Sequence, residues 1–295
     1  MTRFISLAAL LALTSVAIAD PKVTVQPATV HPGDPVLVTV TGVKTAPKGK
    51  ALGTPLRFFN AKRGYQAVFA VPLDTKPEII TIDLEGPAKA VSLEVDDLTF
   101  PETSIVVEDE LANPDKADRD RIDSDNKAII DAALESKDQP LFTRPFRRPP
   151  GEVTSTFGEW RTFNDGHKSQ HLGLDLFAKE GSKVKAINAG TVVLVRDSFL
   201  AGNLVVIAHG AGIASAYYHL SKVLVAEGER VEQGAELGLA GHTGRTTGPH
   251  LHLSVRVPGG FIDPAAFFRL ALAPTTLANA REDQTKRPRR SGLER

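Results

Sequence analysis

From residue 22 to about residue 95 the apolar positions fall in short runs, Val36-Leu-Val-Thr-Val40 and Ile79-Ile-Thr-Ile-Asp-Leu84 among them, broken by turn formers as in His31-Pro-Gly-Asp-Pro35. Short β-branched runs bounded by proline, glycine and aspartate read as strands, so this stretch predicts a small β-sandwich. It holds one histidine and no dense carboxylate cluster. No chemistry is assigned to it, and a targeting or spacer module is the expectation.

Between about residue 96 and residue 150 the texture turns to charge and proline. Residues 114–136 predict a helix, with Pro114 near its start and Ile129, Ile130, Ala133 and Leu134 on one stripe. The acidic run Asp118, Asp120, Asp123 and Asp125 lacks the central glycine and terminal glutamate of a calcium loop and alternates with arginine, so it reads as a solvated helix face. From residue 151 to about 270, strands are predicted at 184–195, 204–208, 213–220 and 251–257, joined by glycine-rich turns without a useful amphipathic helix. The fold class is therefore mostly β: a β-sandwich-like N-terminal domain at 20–97, a charged linker with a helix at 98–145, and an antiparallel β domain at 146–270. Residues 271–295, with Lys286-Arg-Pro-Arg-Arg290, read as a basic disordered tail that could touch anionic envelope polymer.

The first residues add a location. Arg3 precedes an apolar run from Phe4 to Leu13, and Ala17-Ile-Ala19 has the small-x-small form of a cleavage site, so residues 1–19 read as a signal peptide. The run is shorter than the roughly 20 residues that span a bilayer, so export to the periplasm or outside is expected, with no membrane insertion after cleavage. The 295 residues carry 35 basic and 35 acidic side chains, which gives no reason to expect a nucleic-acid partner. There is no cysteine, which excludes a lipidated cysteine anchor and a thiolate zinc site.

Seven of the eight histidines lie in the last β domain. In H-L-G-L-D, His171 and Asp175 would stand roughly 13 Å apart on an extended chain, too far for two ligands of one ion. Joint ligation needs a bend, which Gly173 tolerates. That makes His171 a loop or strand-edge ligand and Asp175 a strand ligand. In T-G-P-H-L-H a glycine-rich loop delivers His250 and His252 to one face of a strand, while Leu251, Leu253 and Val255 point into the core. Y-Y-H-L-S places His219 at the end of an apolar strand.

These three motifs, in this order, resemble the lysostaphin/LytM-type M23 zinc metalloendopeptidases. The resemblance covers about residues 146–268, including T-S-T-F-G at 154–158 and V-E-Q-G-A-E-L-G-L-A-G at 231–241. It implies zinc held by His171, Asp175 and His252, with His219 and His250 as the catalytic pair. It also implies water at the open metal position as nucleophile and a peptide bond of a peptidoglycan cross-link or stem as substrate, with peptidoglycan the partner. Which of His219 and His250 is the base stays open. His167, His209 and His242 are given turn or surface hydrogen bonding. Arg161 and Asn164, in one of the loops expected to wall the groove (160–170 and 197–203), are placed in either substrate contact or loop packing. The rival readings are a non-catalytic activator of cell-wall amidases, which generally loses zinc ligands, and a biotinyl- or lipoyl-type carrier, for which no lysine-bearing hairpin is present.

Overall fold

The computed structural model describes residues 20–86, 88, 90–135 and 138–275. The signal peptide read at 1–19 lies outside the described residues, as do positions 276–295 of the tail.

The N-terminal domain contains β1 (Lys22–Gln26), β2 (Thr29–Val30), β3 (Pro35–Thr41), β4 (Gly49–Ala51), β5 (Thr54–Pro55), β6 (Phe59–Asn60), β7 (Tyr65–Ala70), β8 (Glu78–Leu84) and β9 (Val91–Val95). They form two sheets, ordered β1-β3-β7-β6 and β2-β9-β8-β4-β5. Pairing within the first sheet is antiparallel. Val36, Val38 and Val40 of β3 and Ala67 and Phe69 of β7 face the second sheet, where Ile80, Ile82 and Leu93 meet them. The intervening Leu37, Val68 and Ala70 are also buried, on the opposite face, in a cluster shared with the C-terminal domain. Burial on both faces is why β3 reads as a continuous apolar run rather than an alternating one.

Next come β10 (Glu102–Ile105), α1 (Asp109–Ala112) and α2 (Lys116–Leu134). The stretch expected as a linker is packed. β10 pairs in parallel with β12 (Trp160–Phe163), from Glu102 opposite Trp160 to Ile105 opposite Phe163. Ile129 and Ala133 of α2 lie on Leu204, Val206, Ala214, Ala216 and Tyr218. The buried stripe is Asp125, Ile129, Ala132 and Ala133, whereas Ile130 and Leu134 are exposed. The solvated-face reading therefore fails at Asp125. Its carboxylate is buried and accepts from Arg196 Nε at 2.6 Å and Phe199 N at 2.9 Å, because the helix needs a polar fastening where it crosses the β-hairpin beneath it.

The C-terminal domain contains β11 (Val153–Ser155), β12, β13 (Lys168–Gln170), β14 (Leu174–Phe177), β15 (Lys183–Lys185), β16 (Gly190–Ser198), β17 (Gly202–Gly210), β18 (Ile213–Val223), β19 (Arg230–Val231), β20 (Glu236–Ala240), β21 (His250–Val257), β22 (Gly260–Ile262) and α3 (Pro264–Phe267). Its large sheet runs β11-β14-β21-β18-β17-β16-β19, and every pairing in it is antiparallel. α2 covers part of one face, and Leu174, Leu176, Tyr217, Leu251, Leu253 and Val255 enter the central core.

The two domains meet without a gap in chemistry. Phe59, Phe142, Phe146 and Phe267 form a chain of edge-to-face rings with centroid separations of 6.3, 4.7 and 4.8 Å. Residues 271–275, expected to begin the tail, line the N-terminal sheet: Lys62 N donates to Ala273 O at 2.9 Å, and Thr275 N to Asn60 O at 3.0 Å. Backbone pairing at the free edge of β6 holds them there.

Candidate metal and catalytic centre

The bend required between His171 and Asp175 lies in the three residues joining β13 to β14. Gly173 serves it by close approach: a Cβ there would stand 2.5 Å from His252 Nε2 and 2.8 Å from Leu253 O, so any side chain would displace the imidazole. Asp175 sits opposite His252 in the β14–β21 ladder, and Tyr218 opposite His252 in β18–β21. One face of three neighbouring strands thus assembles the site.

His219 reaches that face against the rule of alternation. Tyr218 and His219 are consecutive and would point to opposite sides of a regular strand. His219 has φ of 61°, the β17–β18 register shifts between Asn203 and Val205, and His219 N donates to Ala201 O at 3.0 Å. This local break turns the imidazole to within 4.9 Å of the His250 ring and 5.9 Å of the His252 ring. A left-handed conformation at a residue with a Cβ is a cost that functional sites bear.

The hydrogen bonds around the four imidazoles determine their tautomers. His171 Nδ1 lies 2.7 Å from Thr156 O, His219 Nδ1 2.8 Å from Thr243 O, and His250 Nδ1 2.8 Å from Gly248 O. A carbonyl only accepts, so each of these nitrogens carries the proton and each Nε2 is bare. His252 is reversed. The Ser254 hydroxyl donates to Leu172 O at 2.7 Å, so it accepts from His252 Nε2 at 3.0 Å, which leaves Nδ1 bare. Burial keeps the His252 imidazole neutral, down to about 4 against the pull of Asp175. Burial, reinforced by the charges of His252 and His250, takes His219 down to about 3.

His171 Nε2, His252 Nδ1 and Asp175 Oδ1 then face one another at 3.0, 2.8 and 2.8 Å with no proton between them. Three bare donors at such separations repel unless a cation lies among them. The distances approach the edges, about 3.3 Å, of a tetrahedron with bonds near 2.0 Å. Two imidazoles and a carboxylate are a donor set that would hold zinc. The outer oxygen of Asp175 accepts from Arg161 at 2.6 Å, and the same guanidinium reaches Ser155 Oγ at 2.7 Å. His250 Nε2 lies 3.7 Å from Asp175 Oδ1, just beyond hydrogen bonding.

The other sequence-placed residues go elsewhere. His209 is fully buried, with Nδ1 on Ala189 O and Nε2 on Ser215 Oγ, both at 2.8 Å; it is a core residue rather than a surface one because it spans two buried polar groups. His242 is exposed beside Glu180, and His167 stacks on Phe163. Asn164 accepts from Val107 N at 3.2 Å, which is loop packing. Ser254 belongs to no motif that marks it in the sequence, although alternation places it two residues beyond His252 on the same face.

Residues 169–264 match the family model Peptidase family M23. The chain carries an M23 peptidase domain. All five candidate residues of the centre lie within the matched span. The peptidoglycan DD-endopeptidase ShyA of Vibrio cholerae is 46% identical over 89 residues, 30% of this chain and 21% of the relative. ShyC of the same organism is 35% identical over 179 residues, 58% of this chain and 39% of the relative. The chain thus spans about a fifth to two fifths of the length of these curated relatives. A solved structure of a putative peptidase M23 from Pseudomonas aeruginosa is 28% identical, with a TM-score of 0.60 over 80% of this chain and 94% of that one. Its likeness extends beyond the M23 domain into the preceding residues.

Proposed function

We propose that this protein is an exported zinc endopeptidase that hydrolyses peptide bonds in the cross-links or stem peptides of peptidoglycan. The observation that carries the reading is the convergence of three bare donors, from His171, Asp175 and His252, beside two further imidazoles whose bare nitrogens are not used as ligands. Bound zinc supplies Lewis acidity and lowers the pKa of water at its open position. His250, whose Nδ1–H is fixed on Gly248 O, offers Nε2 to take the proton of the attacking water. The scissile amide needs that proton on its leaving nitrogen, and the same imidazole can return it. His219, whose ring lies 4.9 Å from that of His250, would face the carbonyl oxygen of a bound substrate. Burial keeps its proton affinity low until negative charge develops beside it, which favours the protonated, donating form.

The printed functions of ShyA and ShyC support the substrate class, and the leader pattern at 1–19 supports export. The test is digestion of purified sacculi by zinc-loaded protein, with mass spectrometry of what is released. Peptide-bond cleavage products are expected, and an amidase-activating protein without its own activity releases none. Intact sacculi after prolonged incubation with zinc-replete protein would refute the reading.

A further inference from the structure

The loop that delivers His250 carries a cation for which neither the metal centre nor the reaction has a use. Arg245 follows Thr243, whose carbonyl holds His219, and precedes His250 on the same loop. Its backbone N–H donates to Leu200 O at 2.8 Å. Its guanidinium carbon stands 3.9 Å from the centre of the Phe163 ring. Stacking of this kind fixes the plane of the guanidinium and leaves its edge N–H groups free to meet a planar anion.

The neighbouring arginine is in a different state. Arg161 is committed to Asp175 at 2.6 Å and to Glu159 at 3.4 Å. Arg245 makes no ion pair among the described residues, although it is partly buried. Burial first, then repulsion from Arg161, lowers its pKa to about 10, and Asp165 opposes the shift only from a distance. Arg245 stays charged near neutral pH all the same. A desolvated cation held rigidly, with no ionic partner among the described residues, regains its lost solvation when a ligand brings the opposite charge.

We infer that Arg245, presented on Phe163, is a specificity-determining residue that binds a free carboxylate carried by the substrate beside the scissile peptide bond. The inference rests on the hydrolase reading above and assigns to it a chemical preference: acidic peptides are cut faster than the same peptides with that carboxylate amidated. The flat, two-pronged geometry of guanidinium matches a carboxylate. Arg245 shares its loop with one proposed catalytic imidazole and with the carbonyl that anchors the other, and its charge acts on Arg161, which holds Asp175; the carboxylate is therefore assigned to the part of the substrate that flanks the bond cleaved.

The test uses full-length, zinc-loaded protein and two synthetic cross-linked peptide dimers, identical except that the side-chain or terminal carboxylate flanking the cross-link is free in one and amidated in the other. Wild type is expected to prefer the free acid in kcat/KM by roughly 10- to 100-fold, the range for one hydrogen bond to a charged group. Arg245→Gln should bring the ratio close to one, with zinc content unchanged, and Arg245→Lys should recover part of it. A wild-type ratio near one, or an Arg245→Gln ratio equal to that of wild type, overturns the inference while leaving the hydrolase reading intact. Equal loss on both dimers in Arg245→Gln and Arg245→Lys alike would mark Arg245 as a loop-folding residue and also overturn it. Failure of wild type to cut either dimer strikes the hydrolase reading itself, and the inference falls with it.

Discussion

The Ser254 hydroxyl gives its one proton to Leu172 O and accepts from His252 Nε2, so Ser254 decides which nitrogen of His252 is left bare to face the proposed metal position. Groups that orient ligands in this way typically change metal affinity by roughly 10- to 100-fold when removed. Ser254→Ala should weaken zinc binding by that order, as measured by competition with a chromophoric chelator, with Ser254→Thr retaining most of it. At His219 the backbone and the side chain can be separated. Asparagine tolerates the left-handed region better than most residues, so His219→Asn should fold and hold zinc while losing most turnover, whereas His219→Ala adds backbone strain to the same chemical loss. His209 belongs to stability instead. Burial lowers its pKa from 6.5 to about 4, so between those values the unfolded chain binds the proton and the folded one resists it. Its contribution is complete above pH 6.5 and is lost as pH falls towards 4, amounting to about 3 kcal/mol. In the presence of chelator, His209→Gln should flatten the decline in urea midpoint over that interval relative to wild type. An unchanged decline would contradict the assignment.

Among the elements, α2 has a larger role than its position between two domains suggests. Asp125 accepts from Phe199 N, at the tip of the β16–β17 hairpin. The next residues of that turn hold the site: Leu200 O accepts from Arg245 N, Ala201 O accepts from His219 N, and a Cβ on Gly202 would meet Thr243 O at 2.4 Å. Asp125→Ala should therefore cost stability, by about 3 kcal/mol for a broken buried pair, and lower kcat without releasing zinc; thermal melts and metal content check the two halves. Asp125→Asn, which keeps the acceptor for Phe199 N–H, should recover part of both. Much of this was not legible in the sequence. The motifs at 171–175, 217–221 and 247–252 pointed to five residues of the site because each motif is local. The partner of Asp125 lies 71 positions away and that of Asp175 in Arg161 depends on a hairpin register, so neither leaves a trace in periodicity. The expected helix stripe holds at Ile129 and Ala133 and fails at Ile130 and Leu134 for a related reason. Counting only apolar residues selected Ile130 and Leu134, while the buried face is completed by a carboxylate.

At the scale of the whole molecule, the N-terminal sandwich and the M23 domain share a core. Leu37, Phe59, Val68 and Ala70 lie in one cluster with Phe142, Phe146, Val257 and Phe267, and the backbone closes over the seam through Ala70 N on Pro258 O at 2.9 Å and Asp263 N on Gly33 O at 2.8 Å. Each fully buried aromatic or aliphatic side chain contributes roughly 1.5–3 kcal/mol, so the seam is too apolar to open freely in water. One cooperative melting transition is expected for the full chain. A fragment beginning at residue 98 should expose Phe142 and its neighbours and melt lower or aggregate; two independent transitions would show the domains to be separable. The double-sided burial of β3 and β7 is present in the sequence as the adjacent apolar residues at 36–38 and 67–71, yet a sandwich alone accounts for such runs in part, and only the docked domain accounts for the second face.

The central claim is the division of five residues into three that hold zinc and two that do not. The most direct measurement is zinc stoichiometry, by elemental analysis, of purified wild type and five single variants. Wild type, His219→Asn and His250→Ala should each retain one zinc ion per chain, and His171→Ala, Asp175→Ala and His252→Ala should retain none. Full zinc in His252→Ala, or its loss from His250→Ala, would contradict the account.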